Sequence, residues 1–463
     1  MTMTTAKTKR WQPMRKAKPC KPLPRPEALK PYILVTVTLA LVYGGQRLLA
    51  QEDQAPPDTR SAQLHFAKPV LLSDQNRKQD GVAFGGWGPH LRSILRMNDN
   101  SLWYVMDHSK GDVKNNDQLY YLQQQEGAWK RVVKQDLIPG ANQGYAHVTN
   151  GKEIFSYGVN FRLGQLHECK LHAETLARVD CTSVRNSSGD PIALGGGANY
   201  VGAAISPQGT RLVWWVVVTP TGTQQWRYVY NRGDRWEGPI STNLPKARGG
   251  LSYIYVRFVN ENEVALSGQL WVGVFPDGSA QATLTHFRLG DPIQGYHTLK
   301  SPDEKGFPKS GSDLWINPET ATVHAVVEGF GNDSFGNKVH YYTFNLREPW
   351  RELAPVQSFQ GYFRARFTQL EQGDLFLVLG GATGNSRIDV LHMPKDRIAD
   401  PVDWDIANKV APAMPGKTHY APTAIWIENR AYQTTAVKDL SFAITGEYPQ
   451  RDHEIWFYSA NFR

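Results

Sequence analysis

Residues 118–133 read QLYYLQQQEGAWKRVV: an aromatic and aliphatic run, a polar turn, and a tryptophan that opens a second run. Alternating aromatic and β-branched residues bounded by turns are typical of half-buried strands. The same order returns as Tyr228-Val229-Tyr230 before Trp236, Val339–Phe344 before Trp350, and Ile388–Leu391 before Trp404. A tryptophan at the same place in several repeats predicts a residue that packs between neighbouring sheets.

This stretch belongs to a longer repeat unit with four predicted strands: Ser93–Met97, Leu102–Met106, Gln118–Gln123 and Trp129–Val133. Seven units begin about 50–60 residues apart, a spacing typical of β-propellers. Their starts lie near Leu91, Tyr145, Tyr200, Tyr253, Leu314, Tyr362 and Tyr420. We therefore predict an all-β, seven-bladed β-propeller over residues 62–463. Units two and four are the most divergent, which leaves six or eight blades as alternatives.

The seventh unit is one strand short. It offers only Thr423–Ile427, Arg430–Val437 and Glu454–Ser459, whereas Leu64–Leu72 is a predicted strand that precedes the first unit. If Leu64–Leu72 forms the outer strand of the last blade, the ring closes and no sheet edge stays free. We therefore expect this segment to complete the seventh blade.

The charge of the chain is concentrated at its start. Residues 1–30 carry nine basic side chains against the single acid Glu27, which leaves 42 basic and 42 acidic side chains in residues 31–463. A formally neutral body lacks the broad positive field that binds nucleic acid. We therefore expect no nucleic-acid partner, and we read residues 1–30 as a basic cytoplasmic tail.

An apolar run follows the tail, from Tyr32 to Gly45, with Arg47 just beyond it. This pattern predicts a single hydrophobic helix over residues 31–50, which serves either as a signal-anchor or as a cleaved signal peptide. The polar residues 51–61 read as a linker. Positive charge before the helix predicts an inner-membrane anchor with the propeller in the periplasm, or a secreted or cell-surface protein after cleavage.

The chain holds three cysteines, of which Cys20 lies in the basic tail. Cys169 and Cys181 flank a predicted hairpin, Leu166–Leu171 and Leu176–Cys181. In an oxidising compartment, two cysteines on facing strands predict a disulfide. The alternative is a pair of reduced cysteines packed as small apolar residues.

The first strand of each propeller unit is normally the innermost, so residues at its start lie near the mouth of the channel. Five units begin there with a tyrosine: Tyr145, Tyr200, Tyr253, Tyr362 and Tyr420. Together they could form an aromatic collar that stacks on sugar rings. The alternative is that each tyrosine packs on its own blade and uses its hydroxyl in a local hydrogen bond.

Arginines also fall on first strands. Convergent arginines bind carboxylate or phosphate through paired hydrogen bonds. The chain here resembles the sialidase-like propeller superfamily, whose arginine triad would correspond to Arg92, Arg257 and either Arg364 or Arg366. The family's Phe-Arg-Ile-Pro motif is absent, because residues 91–94 read LRSI, and no Asp-box is intact. Glu328 is a possible acid without a visible partner.

A second resemblance is to seven-bladed polysaccharide lyases, which use histidine, tyrosine and arginine beside a uronate carboxylate. It rests on His90 and His108, with Tyr145 and Arg92 as the further candidates. The alternative is that both histidines are ordinary loop or surface residues.

No complete catalytic set is visible, and the sequence predicts neither a metal nor a cofactor. The leading expectation is a binding or scaffold module for a glycan or an envelope protein. The alternative is a carbohydrate-active enzyme, a sialidase-like glycosidase or a polysaccharide lyase on an acidic glycan. If Arg92, Arg257 and Arg364 or Arg366 meet His90 or an acid at one mouth of the channel, the enzyme is favoured. If these arginines point to separate blade interfaces or to solvent, the binding module is favoured.

Overall fold

A computed structural model describes most of the chain beyond the predicted linker. The described residues are 64–73, 82–84, 94–109, 118–126, 128–136, 146–160, 164–172, 178–195, 199–218, 224–242, 251–271, 280–300, 310–330, 338–371, 373–381, 388–398, 404–410, 421–429, 439–447 and 453–462. The predicted tail, hydrophobic helix and linker, residues 1–61, lie outside them. Within the described residues, no helix has the length and apolarity needed to cross a membrane.

The described chain is built almost entirely of antiparallel strands. It opens with β1 (Leu64–Phe66), β2 (Val70–Ser73) and β3 (Val82–Phe84). Blade 1 then contains β4 (Ile94–Arg96), β5 (Leu102–Ser109), β6 (Gln118–Gln125) and β7 (Ala128–Asp136), with β3 paired to the far end of β5. Blade 2 contains β8 (Ala146–Thr149), β9 (Glu153–Asn160), β10 (Gln165–His172) and β11 (Arg178–Ser183).

The middle blades follow the same order from the inner to the outer strand. Blade 3 contains β12 (Asn199–Ile205), β13 (Arg211–Val218), β14 (Gln224–Arg232) and β15 (Arg235–Thr242). Blade 4 contains β16 (Leu251–Asn260), β17 (Glu263–Trp271), β18 (Ala280–Arg288) and β19 (His297–Leu299). Blade 5 contains β20 (Ser310–Ile316), β21 (Thr322–Phe330), β22 (Lys338–Asn345) and β24 (Gln357–Gln360). The two-residue strand β23 (Glu352–Leu353), which precedes β24 in the chain, pairs in parallel with β19 and so joins the sheet of blade 4.

The last two blades complete the circle. Blade 6 contains β25 (Tyr362–Gln369), β26 (Leu375–Gly381), β27 (Ile388–Met393) and β28 (Asp405–Val410), with one 3₁₀ turn at Lys395–Arg397. Blade 7 contains β29 (Ala421–Asn429), β30 (Asp439–Glu447) and β31 (His453–Phe462). The predicted strand Arg430–Val437 lies outside the described residues. The strand that pairs with both β29 and β31 is β30, whose alternating Leu440, Phe442 and Ile444 face the core.

The beginning and the end of the propeller share one sheet. Leu64 of β1 lies opposite Phe462 of β31, and Val70 of β2 lies opposite Phe457. On the inner side, β29 pairs in parallel with β4, so the last blade also joins the first. The N-terminal strands thus cover the outer edge of β31, and β4 covers part of the inner edge of β29. The prediction of an all-β, seven-bladed propeller is confirmed.

The core is divided among the interfaces between blades rather than gathered at one centre. Each pair of neighbouring blades, including blades 7 and 1, encloses its own hydrophobic cluster of buried side chains. Both faces of a blade are therefore covered, which explains why a second strand such as Arg211–Val218 of blade 3 is apolar almost throughout. Burial of apolar area at about 25 cal/mol per Å² makes each interface a stabilising unit.

The four repeated tryptophans lie at these interfaces, as the sequence predicts. Each one contacts a ring on the blade that precedes its own. The distances between ring centroids are 5.1 Å for Trp129 and Phe457, 5.8 Å for Trp236 and Tyr157, 4.8 Å for Trp350 and His286, and 5.7 Å for Trp404 and Tyr341. The prediction that they pack between blades is confirmed.

The predicted disulfide is also confirmed. Cys169 of β10 and Cys181 of β11 form a disulfide bond within blade 2. The bond crosses the point where the pairing of β10 and β11 shifts by an irregularity between Glu168 and Lys170. It ties the outer strand of the blade to its neighbour.

Candidate functional site

The structure describes some of the predicted site residues and leaves others outside. His90, Arg92, Tyr145 and Tyr420 lie outside the described residues. For three more, only the backbone is described: His108 lies on β5, Tyr200 on β12 and Tyr253 on β16. The geometry of the site therefore concerns Arg257, Arg364, Arg366 and Tyr362.

Arg364 and Arg366 share one buried acid. Both lie on β25, the inner strand of blade 6, and both bind the carboxylate of Glu328 on β21 of blade 5. Arg364 Nη1 lies 3.1 Å from Glu328 Oε2, and Arg366 Nη1 donates to Glu328 Oε1. The backbone N–H of Ala365 also donates to Oε1, at 2.8 Å. Glu328 therefore fixes the inner strand of the next blade through side chains and backbone together.

Arg257 meets a second buried acid, Asp313. Its Nη2 lies 3.6 Å from Asp313 Oδ1, and its Nε donates to the carbonyl of Leu314 at 3.3 Å. Asp313 Oδ2 accepts the backbone N–H of Phe367 at 2.8 Å. Asp313, on the inner strand of blade 5, thus links blade 4 to blade 6.

These residues form one electrostatic group, which we call the arginine cluster: Arg257, Asp313, Glu328, Arg364 and Arg366. Burial alone would lower the pKa of Arg366, but the charges of Glu328 and Asp313 outweigh it and raise that pKa. Among the described residues, three guanidinium groups of the cluster face two carboxylates, an excess of one formal positive charge. Arg364 is its most exposed member, with 17% of its side chain accessible.

Each buried charge of the arginine cluster has an ion-pair or hydrogen-bond partner. A buried ion is tolerated when it is paired and hydrogen-bonded. Both carboxylates here accept backbone N–H groups of the neighbouring blade as well as side-chain contacts. The structure brings Arg257, Arg364 and Arg366 to two acids at the interfaces between blades 4, 5 and 6.

Tyr362 is placed in the interior of its own blade. Its side chain is buried, and its hydroxyl donates to Asp389 Oδ2 on β27, two strands away in blade 6. This contact corresponds to the alternative in which a tyrosine packs on its own blade.

A cleft that the sequence does not indicate lies where blades 4 and 5 meet. Its volume is about 500 Å³. We call it the blade 4–5 cleft and define it by its main polar and aromatic lining: Asn260, Asn262, Glu263, His286, Arg288, Asp291, Gln294 and Trp350. The sequence predicts Trp350 as a packing residue, but it does not predict that Trp350 also lines a cleft. The other lining residues come from three separate segments of blade 4, which are brought together only by the fold.

Comparisons with known proteins report the fold alone. No known protein family and no curated protein matches the sequence. Among solved structures, a protein of unknown function from Dyadobacter fermentans aligns with 86% of this chain and 99% of its own, at 10% identity and a TM-score of 0.47. The β-propeller domain of the Trilobed protease from Pyrococcus furiosus aligns with 80% of this chain and 94% of its own, at 8% identity and a TM-score of 0.38.

A sialidase is also among the structural neighbours. Hadza microbial sialidase Hz136 aligns with 63% of this chain and 63% of its own, at 10% identity and a TM-score of 0.40. All three TM-scores lie below 0.5, so none of the three adds to the argument on function. The strand order of this chain shows a propeller, and no sequence match supports membership of the sialidase-like superfamily.

Proposed function

We propose that this protein is an exported β-propeller, tethered to the membrane by residues 31–50, that works as a binding module for a glycan or a protein partner. The observation that carries the proposal is the engagement of Arg364 and Arg366 by Glu328. A sialidase-like enzyme would present such arginines to a substrate carboxylate. In this chain, the same guanidinium groups connect neighbouring blades.

Export is supported by the disulfide between Cys169 and Cys181. Disulfides persist in the periplasm and outside the cell, whereas cytosolic proteins of most organisms keep their thiols reduced. The tether rests on the basic residues 1–30 followed by the apolar run of residues 32–45.

A second function has one observation in its favour. The excess positive charge of the arginine cluster, together with the partial exposure of Arg364, would suit a carboxylate at the inner strands. The second candidate is therefore a carbohydrate-active enzyme on an acidic glycan, with Arg92, His90 and His108 as further members of its site.

One experiment separates the two. The full chain is extracted in detergent and tested for binding and turnover on a panel of acidic and uncharged glycans, beside Arg92→Ala and Arg364→Ala variants and a pull-down from membranes. Binding without turnover, or specific capture of a membrane protein, supports the binding module. Product formation that either variant abolishes would replace it with the enzyme.

A further inference from the structure

The blade 4–5 cleft combines an indole with planar polar side chains. Trp350 comes from the segment that links β22 to β23, and it reaches across the interface to blade 4. Its ring centroid lies 4.8 Å from that of His286 and 5.0 Å from that of His297. The indole also rests directly on Gly295, where a Cβ atom would come within 2.2 Å of the ring. The side of the indole that packs on the protein is thereby fixed.

One wall of the cleft carries an ion pair. Arg347 binds the carboxylate of Glu263, with Nη2 at 2.7 Å from Oε2. Asn260 donates to the same oxygen at 3.3 Å. The charge and hydrogen bonds of Arg347 lower the pKa of Glu263 against the effect of burial, so this carboxylate stays ionised and paired. A pre-organised wall lowers the entropy cost of binding a ligand.

The charges around the cleft balance. Glu263 is offset by Arg347, and the exposed Arg288 and Asp291 contribute one charge of each sign. Burial lowers the pKa of His286, so this side chain is neutral at pH 7. The cleft therefore has no excess charge with which to select an ionic ligand, in contrast with the arginine cluster.

The open side of the cleft is polar. Asn262, Arg288, Asp291 and Gln294 are exposed there and offer amide, guanidinium and carboxylate groups. Such groups can form hydrogen bonds with hydroxyl groups on neighbouring atoms of a ligand, since a hydroxyl both donates and accepts. An indole face packs well on an apolar ring face whose rim is polar. A volume of about 500 Å³ falls within the range of small-molecule sites.

We infer that the blade 4–5 cleft binds an uncharged saccharide, with Trp350 as the stacking platform and Asp291, Asn262 and Gln294 as hydroxyl partners. The inference rests on the proposed binding function and names its ligand class and its site. It places recognition at the turn between β16 and β17 and on the segments that follow β18 and β22, on residues other than those of the arginine cluster.

The test measures binding of short uncharged oligosaccharides to the full chain, by calorimetry and by the change in tryptophan fluorescence. Trp350→Phe and Asp291→Asn are compared with wild type, and Asp396→Asn in the exposed 3₁₀ turn of blade 6 is the matched control. Each cleft variant should weaken the affinity at least about tenfold, which corresponds to about 1.4 kcal/mol. The control should bind as wild type does. Because Asp291 is exposed, its variant should fold even if Trp350→Phe does not.

The outcomes are distinguishable. If wild type binds an uncharged saccharide and both cleft variants keep full affinity, the site is wrong although the binding function holds. If wild type binds only acidic glycans or only a protein, the ligand class is wrong and the binding function again holds. If the chain turns over a glycan at the inner strands and binds nothing in the cleft, both the inference and the proposed function are overturned.

Discussion

Glu328 of blade 5 accepts a hydrogen bond from the guanidinium of Arg366 on blade 6. The two residues lie 38 positions apart, and both side chains are almost completely buried. The same carboxylate oxygen also accepts the backbone N–H of Ala365, so the contact fixes the inner strand of blade 6 in position. This buried pair connects two blades. If one partner is removed, the charge of the other stays buried without a counter-charge.

Replacement of Glu328 should therefore be costly. In Glu328→Gln the shape is kept, but two guanidinium groups lose their counter-charge in a buried place. Removing one partner of a buried pair typically costs about 3–5 kcal/mol. We expect a loss of this order in the free energy of unfolding, measured by urea denaturation.

The matched control is Glu352→Gln. Glu352 also pairs with a cation, Lys300, but 62% of its side chain is exposed. Exposed pairs contribute little, so this variant should unfold at the wild-type midpoint. If Glu328→Gln were as stable as Glu352→Gln, the arginine cluster would not hold the blades together, and a role in ligand binding would gain support.

The interblade tryptophans give a second prediction. Trp404 stacks on Phe367 at 5.9 Å and contacts Tyr341 at 5.7 Å, and only 2% of its surface is exposed. Trp404→Ala should destabilise the protein by about 3–5 kcal/mol, because it removes buried apolar area and leaves a cavity. Trp404→Phe should lose less, since it keeps an aromatic ring in the interface.

Thermal and urea unfolding of both variants check this prediction. Val356→Ala serves as the control, because Val356 is 46% exposed and its truncation opens no cavity. Equal losses for Trp404→Ala and Val356→Ala would contradict the view that each blade interface is an independent stabilising cluster.

The fold was predictable because each repeat is recognised from residues that are close together in the sequence. The sequence predicts two adjacent strands at Gln118–Gln123 and Trp129–Val133, and the structure extends them to Gln118–Gln125 and Ala128–Asp136. The extension reflects backbone pairing, which continues past the last apolar residue. Periodicity of side chains marks the centre of a strand well and its ends poorly.

The sites were less predictable, because their contacts join residues on different blades. Glu328 has no partner visible in the sequence, and its partners Arg364 and Arg366 become neighbours only once blades 5 and 6 pack. The blade 4–5 cleft depends likewise on Trp350 crossing to blade 4. A single sequence indicates candidate site residues, whereas the packing of the blades determines which of them are in contact.

The disulfide leads to a prediction that also tests the fate of the N-terminal tail. The chain has three cysteines, and Cys169 is bonded to Cys181. With the tail retained, alkylation of the denatured, unreduced protein should modify one thiol, that of Cys20, and reduction should raise the count to three. If the tail is removed by cleavage, the counts should be zero and two.

Mass spectrometry of the protein isolated from its native host measures both counts. A count of three thiols before reduction would show that the disulfide does not form in the cell, and it would remove the main support for export. The Cys169→Ala/Cys181→Ala double variant is the control, because its count should not change on reduction.

The buried histidines predict that the protein loses stability in mild acid. Burial lowers the pKa of His324 to about 4 and that of His147 to about 3, whereas an unfolded histidine titrates near its ordinary value of 6.5. Between pH 6.5 and about 4.5, the unfolded chain therefore binds protons that the folded chain does not. The free energy of unfolding should fall as pH falls through this window, by up to about 1.4 kcal/mol per pH unit for each such histidine.

Urea unfolding at several pH values between 7 and 4.5 gives the slope. His324→Gln should reduce this slope by the contribution of one proton. In the folded protein, Nδ1 of His324 contacts the hydroxyl of Tyr341 and Nε2 contacts the carbonyl of Ile398, and both contacts are compatible with a neutral ring. His65→Gln is the control, since His65 is exposed on β1 and its replacement should leave the slope unchanged. Carboxylates with a lowered pKa, such as Glu263, add to the slope only in the lower part of this window, where the same groups in the unfolded chain begin to bind protons at their ordinary pKa of 4.5. A wild-type slope of zero would mean that the buried histidines are charged in the folded protein, and the hydrogen bonds of His324 would then have to be assigned differently.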